Sequence, residues 1–425
     1  MSKILIWRQI IPGDGVDIFT HTDYTKLTAH MDRLYNGACP NWGNKLWFQG
    51  LYSEINTPEN QITFRKDETI DYINQNFDLI IYPMANFFSV QYCSDTTEFT
   101  KIFVRIKIPV YIIACGAQAD SYDALDDLIE KIGAPASRFI EAIYHTGGEF
   151  CLRGDFTKEF FTKLGFPSAV VTGCPSMYQL GRNFRVNKHE ALPTVQELKI
   201  AVNGHLKAFE EIMKEFPGSL FFDQDQFLKQ LYEPGYLSCK NLRFKLSFYR
   251  HQGVYLAELI GKGRIKMFAD IPTWYHYLRS NGFHYSFGTR IHGSIMALLA
   301  GIPVTVLAID SRTREMADFF DNPYIEFRPD HAYSAEDVYS SYERADYGKL
   351  NASFSDKFDR YERFLIEHKI VTKLNEKNEF LSENQLAVVE EYHPNKEAFM
   401  MLAESMERKA KLLNLINGMV PVRRS

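Results

Sequence analysis

The sequence predicts an α/β protein in which two Rossmann-like domains face each other across a cleft. Short apolar runs typical of strands alternate with segments of helical periodicity along most of the 425 residues. Two of these runs, Asp78–Tyr82 and Val110–Ala114, lack alternation of polar and apolar residues, as expected of parallel strands covered on both faces. The pattern stops at a polar segment that contains Pro193 and then begins again, which predicts two domains joined by a linker.

The first domain is predicted to comprise residues 1–180. Its strand candidates, in chain order, are Lys3–Trp7, Asp78–Tyr82, Val110–Ala114, Phe150–Leu152 and Ala169–Thr172. Helical periodicity between the strands predicts helices over Lys45–Ile55, Thr69–Gln75, Asp123–Lys131 and Phe156–Leu164.

The predicted linker spans residues 181–196, and the second domain spans residues 197–330. Its strand candidates are Lys199–Val202, Leu220–Phe222, Ile265–Phe268, His284–Gly288 and Pro303–Ala308. The helices between them are predicted over His205–Glu215, Asp225–Leu231, Trp274–Ser280 and Ile291–Ala300. Residues 331–425 are predicted to form a mainly helical extension that packs on the body, with one helix over Lys396–Leu415.

Composition and motifs exclude several classes of protein. A net charge of −5 argues against binding to nucleic acid, and no run reaches the roughly 18 apolar residues of a membrane span. With no recognisable signal peptide and six scattered cysteines, we expect a cytoplasmic protein with free thiols. The glycine patterns of NAD and P-loop sites are absent, so no cofactor is expected. Asp223 and Asp225 form a D-x-D pair, but this pattern is common by chance, and no metal site is predicted.

The strongest candidate site lies where a strand ends at Gly288 and a helix begins near Ile291. Arg290 and His292 stand at this junction, the edge of a parallel sheet at which ligands bind. Arg290 offers a charged fork that matches a carboxylate or phosphate, and His292 can exchange a proton near neutral pH. The alternative is that Arg290 pairs with a structural carboxylate and His292 caps the helix.

The following strand leads into a charged turn at the same edge. Asp310, Arg312, Arg314 and Glu315 could bind a ribose or an anion, or they could form salt bridges that stiffen the cleft wall. Asp310 and Arg312 are the better candidates for a function in binding.

The first half places further candidates at its own strand edges. Near a helix start, Asn41, Gly43 and Asn44 could bond a ligand or cap the helix. Two other candidates follow buried strands, namely Gly116 and Arg153. After the last strand of this half, Cys174 in TGCPSM is a conceivable buried nucleophile, but no adjacent base is visible in the sequence.

These segments, in their order along the chain, resemble the polysaccharide pyruvyl transferase family. GTRIHGSIMALLAGIP with the downstream DSRTRE resembles the family's R-[IL]-H block, and LRGDFTKEFFTKLGFPSAVVTGCPSM is similar to its R-D-x-x-S…LG…TGDP segment. NWGNKLWFQGL is similar to its N-x-G-[DN] segment, and IPVYIIACGAQAD to its glycine-containing loop at a strand edge. The likeness runs from about Asn41 to Pro323. It departs from the family at Gly154, at Thr157 in place of Ser, and at Cys174 in place of Asp.

The resemblance implies a GT-B-like fold with its active site in the interdomain cleft. It implies transfer of the enolpyruvyl group of phosphoenolpyruvate to sugar hydroxyls of a surface glycan or its precursor, forming a pyruvate ketal and releasing phosphate. Arg290 and Arg153 would hold the donor, and His292 would act as a general acid or stabilise the anion. Asn41, Gly43, Asn44 and Gly116 would then belong to the donor site, and Asp310, Arg312 and Glu315 to a possible substrate site.

Two other functions stay open at this stage. One is a GT-B-type glycosyltransferase with a nucleotide-sugar donor, and the other is a non-catalytic glycan-binding protein on the same scaffold. The expected acceptor is a glycan, or a lipid-linked or nucleotide-linked sugar, which allows peripheral membrane contact. Acceptor specificity is expected to come from the loops at residues 84–98 and 233–252.

Overall fold

Two parallel six-stranded sheets form the body of the protein. The computed structural model describes residues 1–7, 41–65, 67–224, 227, 231, 235–236, 253–268, 271–376, 381 and 395–419. The first sheet contains β1 (Ser2–Ile6), β2 (Asn60–Phe64), β3 (Leu79–Pro83), β4 (Val110–Cys115), β5 (Glu149–Leu152) and β6 (Val170–Val171). The second contains β7 (Ile200–Asn203), β8 (Leu220–Phe222), β9 (Ile265–Lys266), β10 (Tyr285–Gly288), β11 (Val304–Ala308) and β12 (Tyr324–Glu326).

Helices connect the strands of both sheets. The first half contributes α1 (Trp42–Ile55), α2 (Ile70–Asn76), α3 (Cys93–Phe103), α4 (Leu125–His145) and α5 (Asp155–Lys163). The second contributes α6 (Glu210–Glu215), α7 (Gly253–Gly261), α8 (Ile271–Ser280), α9 (Ile291–Leu299) and α10 (Ser311–Phe319). The last helices are α11 (Ala335–Arg344), α12 (Gly348–Glu367) and α13 (Lys396–Met419). The predicted fold class is therefore confirmed in its architecture: two Rossmann-like α/β halves, each built on a parallel six-stranded sheet, are followed by a helical C-terminal region.

The strand order of the second sheet determines where a ligand can bind. The order is β12-β11-β10-β7-β8-β9, so the chain reverses its direction of travel across the sheet between β7 and β10. In doubly wound sheets the crevice beyond the carboxyl ends of the strands opens at this switch point. β7 ends at Asn203 and β10 at Gly288, and the Arg290–His292 junction follows immediately.

The sequence located the buried strands better than the edge strands and the ends of the helices. Every strand predicted from the sequence overlaps an observed one, but the edge strands β2 and β12 were missed. Both strands are only partly buried and contain polar residues, so they lack the continuous apolar run that marks a central strand. The helix predicted over Asp123–Lys131 is part of the much longer α4.

The two loops predicted to give acceptor specificity are only partly visible as loops in the structure. The loop predicted over residues 84–98 contains a short 3-10 helix and the start of α3, and its Phe88 is buried among Phe139, Phe160 and Phe161. Phe88 therefore packs in the core of the first half. The second predicted loop, residues 233–252, and the helix predicted over Asp225–Leu231 fall mainly outside the described residues.

The carboxyl edges of the two sheets face each other across a narrow interface. The backbone N–H of Ser311, at the start of α10, donates to the carbonyl of Ala119 in the loop after β4 (3.0 Å). The N–H of Ala119 donates in return to the Ser311 hydroxyl (3.0 Å), and the Gln118 amide donates to Asp310 (3.1 Å). Deeper in the interface, α9 packs against α1 and against the 3-10 helix Pro175–Met177. Polar and apolar contacts thus hold the two halves close together where the sequence predicts a cleft.

The C-terminal region returns to the first half of the chain. Tyr361 on α12 stacks on Tyr178, with ring centroids 5.2 Å apart, and its hydroxyl donates to Glu54 on α1 (2.9 Å). α13 packs against α7 in the second half. Between β6 and β7 the chain forms only turns and the 3-10 helix, and the linker predicted over residues 181–196 lies within this stretch. In the described part of the chain, every helix is too short or too polar to span a membrane.

Candidate active site

Arg290 and His292 stand at the switch point of the second sheet. The side chain of Asn203, the last residue of β7, accepts a hydrogen bond from the backbone N–H of Arg290 at 2.8 Å. This bond ties the start of α9 to the neighbouring strand. Arg290 occupies the N-cap position without a side-chain capping bond, and His292 lies within the first turn. The alternative in which His292 caps the helix is therefore wrong.

His292 is buried, although the sequence analysis expected it to line an open cleft. Only 7% of the residue is exposed, because α1 and the 3-10 helix Pro175–Met177 cover the start of α9. Burial lowers the pKa of His292 well below its usual value near 6.5, and the guanidinium groups of Arg153 and Arg312 lower it further. In this site the imidazole is neutral at physiological pH.

Arg153 is the most deeply buried cation of the site. It follows β5 directly, and its backbone N–H donates to the carbonyl of Cys115, the last residue of β4 (2.9 Å). Only 1% of the residue is exposed, and neither Nε nor Nη2 has a hydrogen-bond partner among the residues that the structure describes. A buried guanidinium without partners is costly, so these nitrogens mark a place for an acceptor from outside the chain.

Arg312 adds a third cation from the charged turn after β11. Burial lowers its pKa, Asp310 opposes the change, and Arg153 and Arg290 add to it. Arg312 donates to Asp310 at 3.2 Å, but its Nε is buried without a partner among the described residues. Asp310 also caps α10 by accepting from the backbone N–H of Thr313 at 2.8 Å. The structure thus places Arg153, Arg290 and Arg312 close enough to influence one another, which concentrates positive charge between the two halves.

Glu315 forms a contact that the sequence analysis did not assign. Its carboxylate accepts the backbone N–H and the hydroxyl of Thr157, both at 2.9 Å, and no part of the residue is exposed. Gly154 permits this approach, because a Cβ there would lie 2.8 Å from the Glu315 backbone oxygen. Of the two roles left open for the charged turn, these contacts favour stiffening of the cleft wall for Glu315. A substrate contact by Glu315 stays a prediction.

Cys174 has a base beside it, contrary to the expectation from the sequence. Its Sγ lies 3.7 Å from Nε2 of His292 and accepts a hydrogen bond from the Ser176 hydroxyl at 3.1 Å. Burial raises the pKa of Cys174, although Arg153 and the bonds from Ser176 oppose the change. The fold brings these residues together from positions 118 apart in the chain, which no local motif reveals.

The remaining predicted residues divide between the site and local structure. Gly43 lies against His292, since a Cβ on Gly43 would be 2.9 Å from the His292 Cβ, and only glycine permits this approach. Asn41 caps α1 by accepting the N–H of Gly43 at 2.8 Å, and Asn44 accepts the indole N–H of Trp47 at 3.3 Å. Asn41 thus has the capping role that the alternative proposed, whereas Asn44 contacts a side chain of its own helix, and a donor contact by either residue stays a prediction. Gly116 lies beside the side chains of Arg153 and Glu315.

Gln224 is a site residue that the sequence analysis missed. It follows β8, is 2% exposed, and lies beside Gly43 and Gly293. Its Nε2 is buried without a partner among the described residues. Its position after a buried strand at the carboxyl edge is a usable signal, although the neighbouring D-x-D pair is the more conspicuous pattern in the sequence. Asp223 accepts the backbone N–H of Phe227 at 2.7 Å, and Asp225 lies outside the described residues.

Comparison with known proteins gives one family and several distant structures. The family model described as polysaccharide pyruvyl transferase matches residues 44–311. No curated protein matches the chain significantly. Among solved structures, a putative UDP-N-acetylglucosamine 2-epimerase from Listeria monocytogenes is 12% identical with a TM-score of 0.40, over 89% of this chain and 98% of its own. A Methanocaldococcus jannaschii UDP-GlcNAc 2-epimerase is 10% identical with a TM-score of 0.40, over 86% of this chain and 100% of its own.

Proposed function

The chain belongs to the polysaccharide pyruvyl transferase family, and from this premise we propose that it transfers the enolpyruvyl group of phosphoenolpyruvate to two hydroxyls of a sugar acceptor. The acceptor would be a surface glycan or a lipid-linked or nucleotide-linked precursor. The observation that carries the proposal is the buried guanidinium of Arg153, with Nε and Nη2 unpartnered among the described residues and with Arg312 and His292 beside it.

The arrangement of charge suits this donor. Phosphoenolpyruvate carries a carboxylate and a phosphate on one three-carbon unit, and three arginines from three different strand ends converge on the site. Bidentate guanidinium contacts match both groups. We assign Arg153, Arg290 and Arg312 to donor binding, with Gly43 and Gly116 allowing the site walls to approach. Buried in an interface that excludes water, these charges act more strongly on a developing charge than they would in solvent.

The proposed reaction needs one proton donor and a stabilised cationic carbon. A proton adds to the methylene carbon of the donor, and the positive charge develops on the carbon that bears the phosphate oxygen. One sugar hydroxyl attacks this carbon and loses its proton. The bond to the phosphate oxygen then breaks, and a second hydroxyl adds and loses its proton. The products are the ketal and inorganic phosphate, which carries away the second proton. We assign transfer of the first proton to His292, the one imidazole beside the arginine cluster among the described residues.

Donor binding by calorimetry tests the proposal. Phosphoenolpyruvate should bind, UDP-sugars should not, and Arg153→Gln should weaken binding at least tenfold, since a charge-assisted contact contributes about 1.5 to 3 kcal/mol. Arg182→Ala is the matched control, because Arg182 is exposed and pairs with Asp359 away from the site. Binding and turnover of a UDP-sugar in place of phosphoenolpyruvate would establish a glycosyltransferase instead. Glycan binding without turnover of either donor would establish a binding protein.

A further inference from the structure

Side chains from several elements surround His292. Among the residues that the structure describes, none of these neighbours carries a negative charge. The 3-10 helix after β6 contributes the Cys174 thiol, 3.7 Å from Nε2. The end of β5 contributes Arg153 and the start of α10 contributes Arg312, both of which disfavour a charged imidazole. The start of α1 contributes the uncharged Gly43, which lies against His292, and the uncharged Gln224 after β8 lies beside Gly43 and Gly293. Among the residues that the structure describes, the imidazole therefore stands beside cations without a counter-ion.

The thiol beside His292 is held in a fixed position. Cys174 is fully buried at the start of the 3-10 helix Pro175–Met177, and the Ser176 hydroxyl donates to its Sγ at 3.1 Å. Burial raises the pKa of the thiol, so it stays protonated near neutral pH. A protonated thiol can orient an imidazole through a weak hydrogen bond, but it supplies no charge that would favour the imidazolium.

We propose that Cys174 is a positioning residue, which holds His292 without giving it a counter-charge, so that the imidazole is neutral in the free protein and takes up a proton when an anion enters the arginine cluster. This inference rests on the proposed function. The bound anion offsets the charges of Arg153 and Arg312, and the imidazole then gains a proton from solvent. That proton is the one transferred to the donor's methylene carbon, and His292 is neutral again when the products leave. Proton delivery is thereby tied to occupancy of the site.

Nuclear magnetic resonance of isotope-labelled histidine reports the charge of His292 directly. The signal is assigned by its loss in His292→Gln, and each protein is measured across the pH range around neutrality. We expect a neutral imidazole in the free wild-type protein and an imidazolium at about pH 7 when phosphoenolpyruvate is bound. Cys174→Asp should raise the titration midpoint in the free protein by about 1 to 3 pH units, the usual effect of an opposite charge at this distance. Cys174→Ser should titrate like the wild type.

The outcomes separate this inference from the proposed function. If phosphoenolpyruvate fails to bind, the proposed donor is wrong, and titration with inorganic phosphate still tests whether an anion protonates His292. If phosphoenolpyruvate binds while His292 stays neutral, the proposed protonation of His292 on anion binding is wrong, and phosphoenolpyruvate is retained as the donor. Equal midpoints in Cys174→Asp and Cys174→Ser would overturn the role of Cys174. If Cys174→Asp fails to fold, the titration of His292 in the wild-type protein still tests the proposal, because an imidazolium in the free wild-type protein would contradict it.

Discussion

The carboxyl group of Glu315, in the second half of the chain, caps a helix of the first half through Thr157. The N–H of Thr157, in the first turn of α5, and its hydroxyl both donate to Glu315 at 2.9 Å. Acidic groups stabilise helix starts, and here the group comes from the opposite wall of the interface. Because α5 begins just after Arg153 and α10 contains Arg312, this bond connects the two helices that carry or follow these arginines.

Stability should depend on pH through Glu315. Burial raises its pKa from about 4.5 to about 8, while the bonds from Thr157 and the charge of Arg153 oppose the change. Between these pH values the unfolded chain loses the proton and the folded protein keeps it, so the free energy of unfolding falls as pH rises, at up to about 1.4 kcal/mol per pH unit. Glu315→Gln should remove this slope in urea unfolding measured at several pH values.

The matched control for this experiment is Glu326→Gln. Glu326 lies on the edge strand β12 and pairs with Arg314 at an exposed position, so the wild-type slope should persist in that variant. Parallel pH dependences of wild type and Glu315→Gln would show that Glu315 is ionised in the folded protein.

Arg290→Ala should weaken donor binding and leave the fold intact. Loss of one charge-assisted contact is expected to reduce affinity for phosphoenolpyruvate by roughly ten- to a hundredfold. The start of α9 should be unaffected, because Asn203 binds the backbone N–H of residue 290, which the substitution retains. Calorimetry measures the affinity and a melting curve checks the fold. An affinity equal to that of Arg182→Ala would remove Arg290 from the donor site.

His292→Gln should lower turnover far more than donor affinity. A positioned proton donor contributes about 10²- to 10⁴-fold to rate, whereas the arginines supply the charge that binds the donor. Glutamine is chosen because the side chain is buried between the two halves, and alanine would leave a cavity there. Phosphate release measures turnover. A rate within tenfold of the wild type would refute proton transfer by His292.

Tyr361→Phe should destabilise the protein without affecting the site. The Tyr361 hydroxyl donates to the buried carboxyl of Glu54 at 2.9 Å and connects α12 to α1. Burial raises the pKa of Glu54 well above its usual value, and this bond opposes the change. Its loss should lower the free energy of unfolding by about 1 to 3 kcal/mol. Tyr72→Phe, at an exposed position, is the control. A matching loss of donor affinity would place α12 in the functional machinery.

Activity should survive exhaustive treatment with EDTA. In the proposed mechanism Arg153, Arg290 and Arg312 would supply the positive charge that the donor's phosphate requires, so the chemistry would need no divalent cation. Phosphate release before and after chelation is the measurement. Loss of activity that magnesium or manganese restores would bring the Asp223 and Asp225 pair back as a metal site.

The sequence by itself determined where most strands lie along the chain and which residues follow each of them. Central parallel strands are continuous apolar runs, and the residue after such a run necessarily lies at the carboxyl edge of its sheet. Arg153, Arg290 and Arg312 were therefore identified from local pattern alone. The edge strands β2 and β12 were missed, because their sequences, NQITF and YIE, include polar residues and lack that run.

Only the tertiary structure decided which of these edge residues meet. Cys174 and His292 are 118 residues apart, and Thr157 and Glu315 are 158 apart, so neither contact leaves a trace in the spacing of the sequence. The burial of His292 could not be predicted from the sequence either, because it depends on how closely α1 and the 3-10 helix Pro175–Met177 approach α9. The charge state of His292 follows from that packing, since desolvation and the neighbouring guanidinium groups determine the pKa of a buried imidazole.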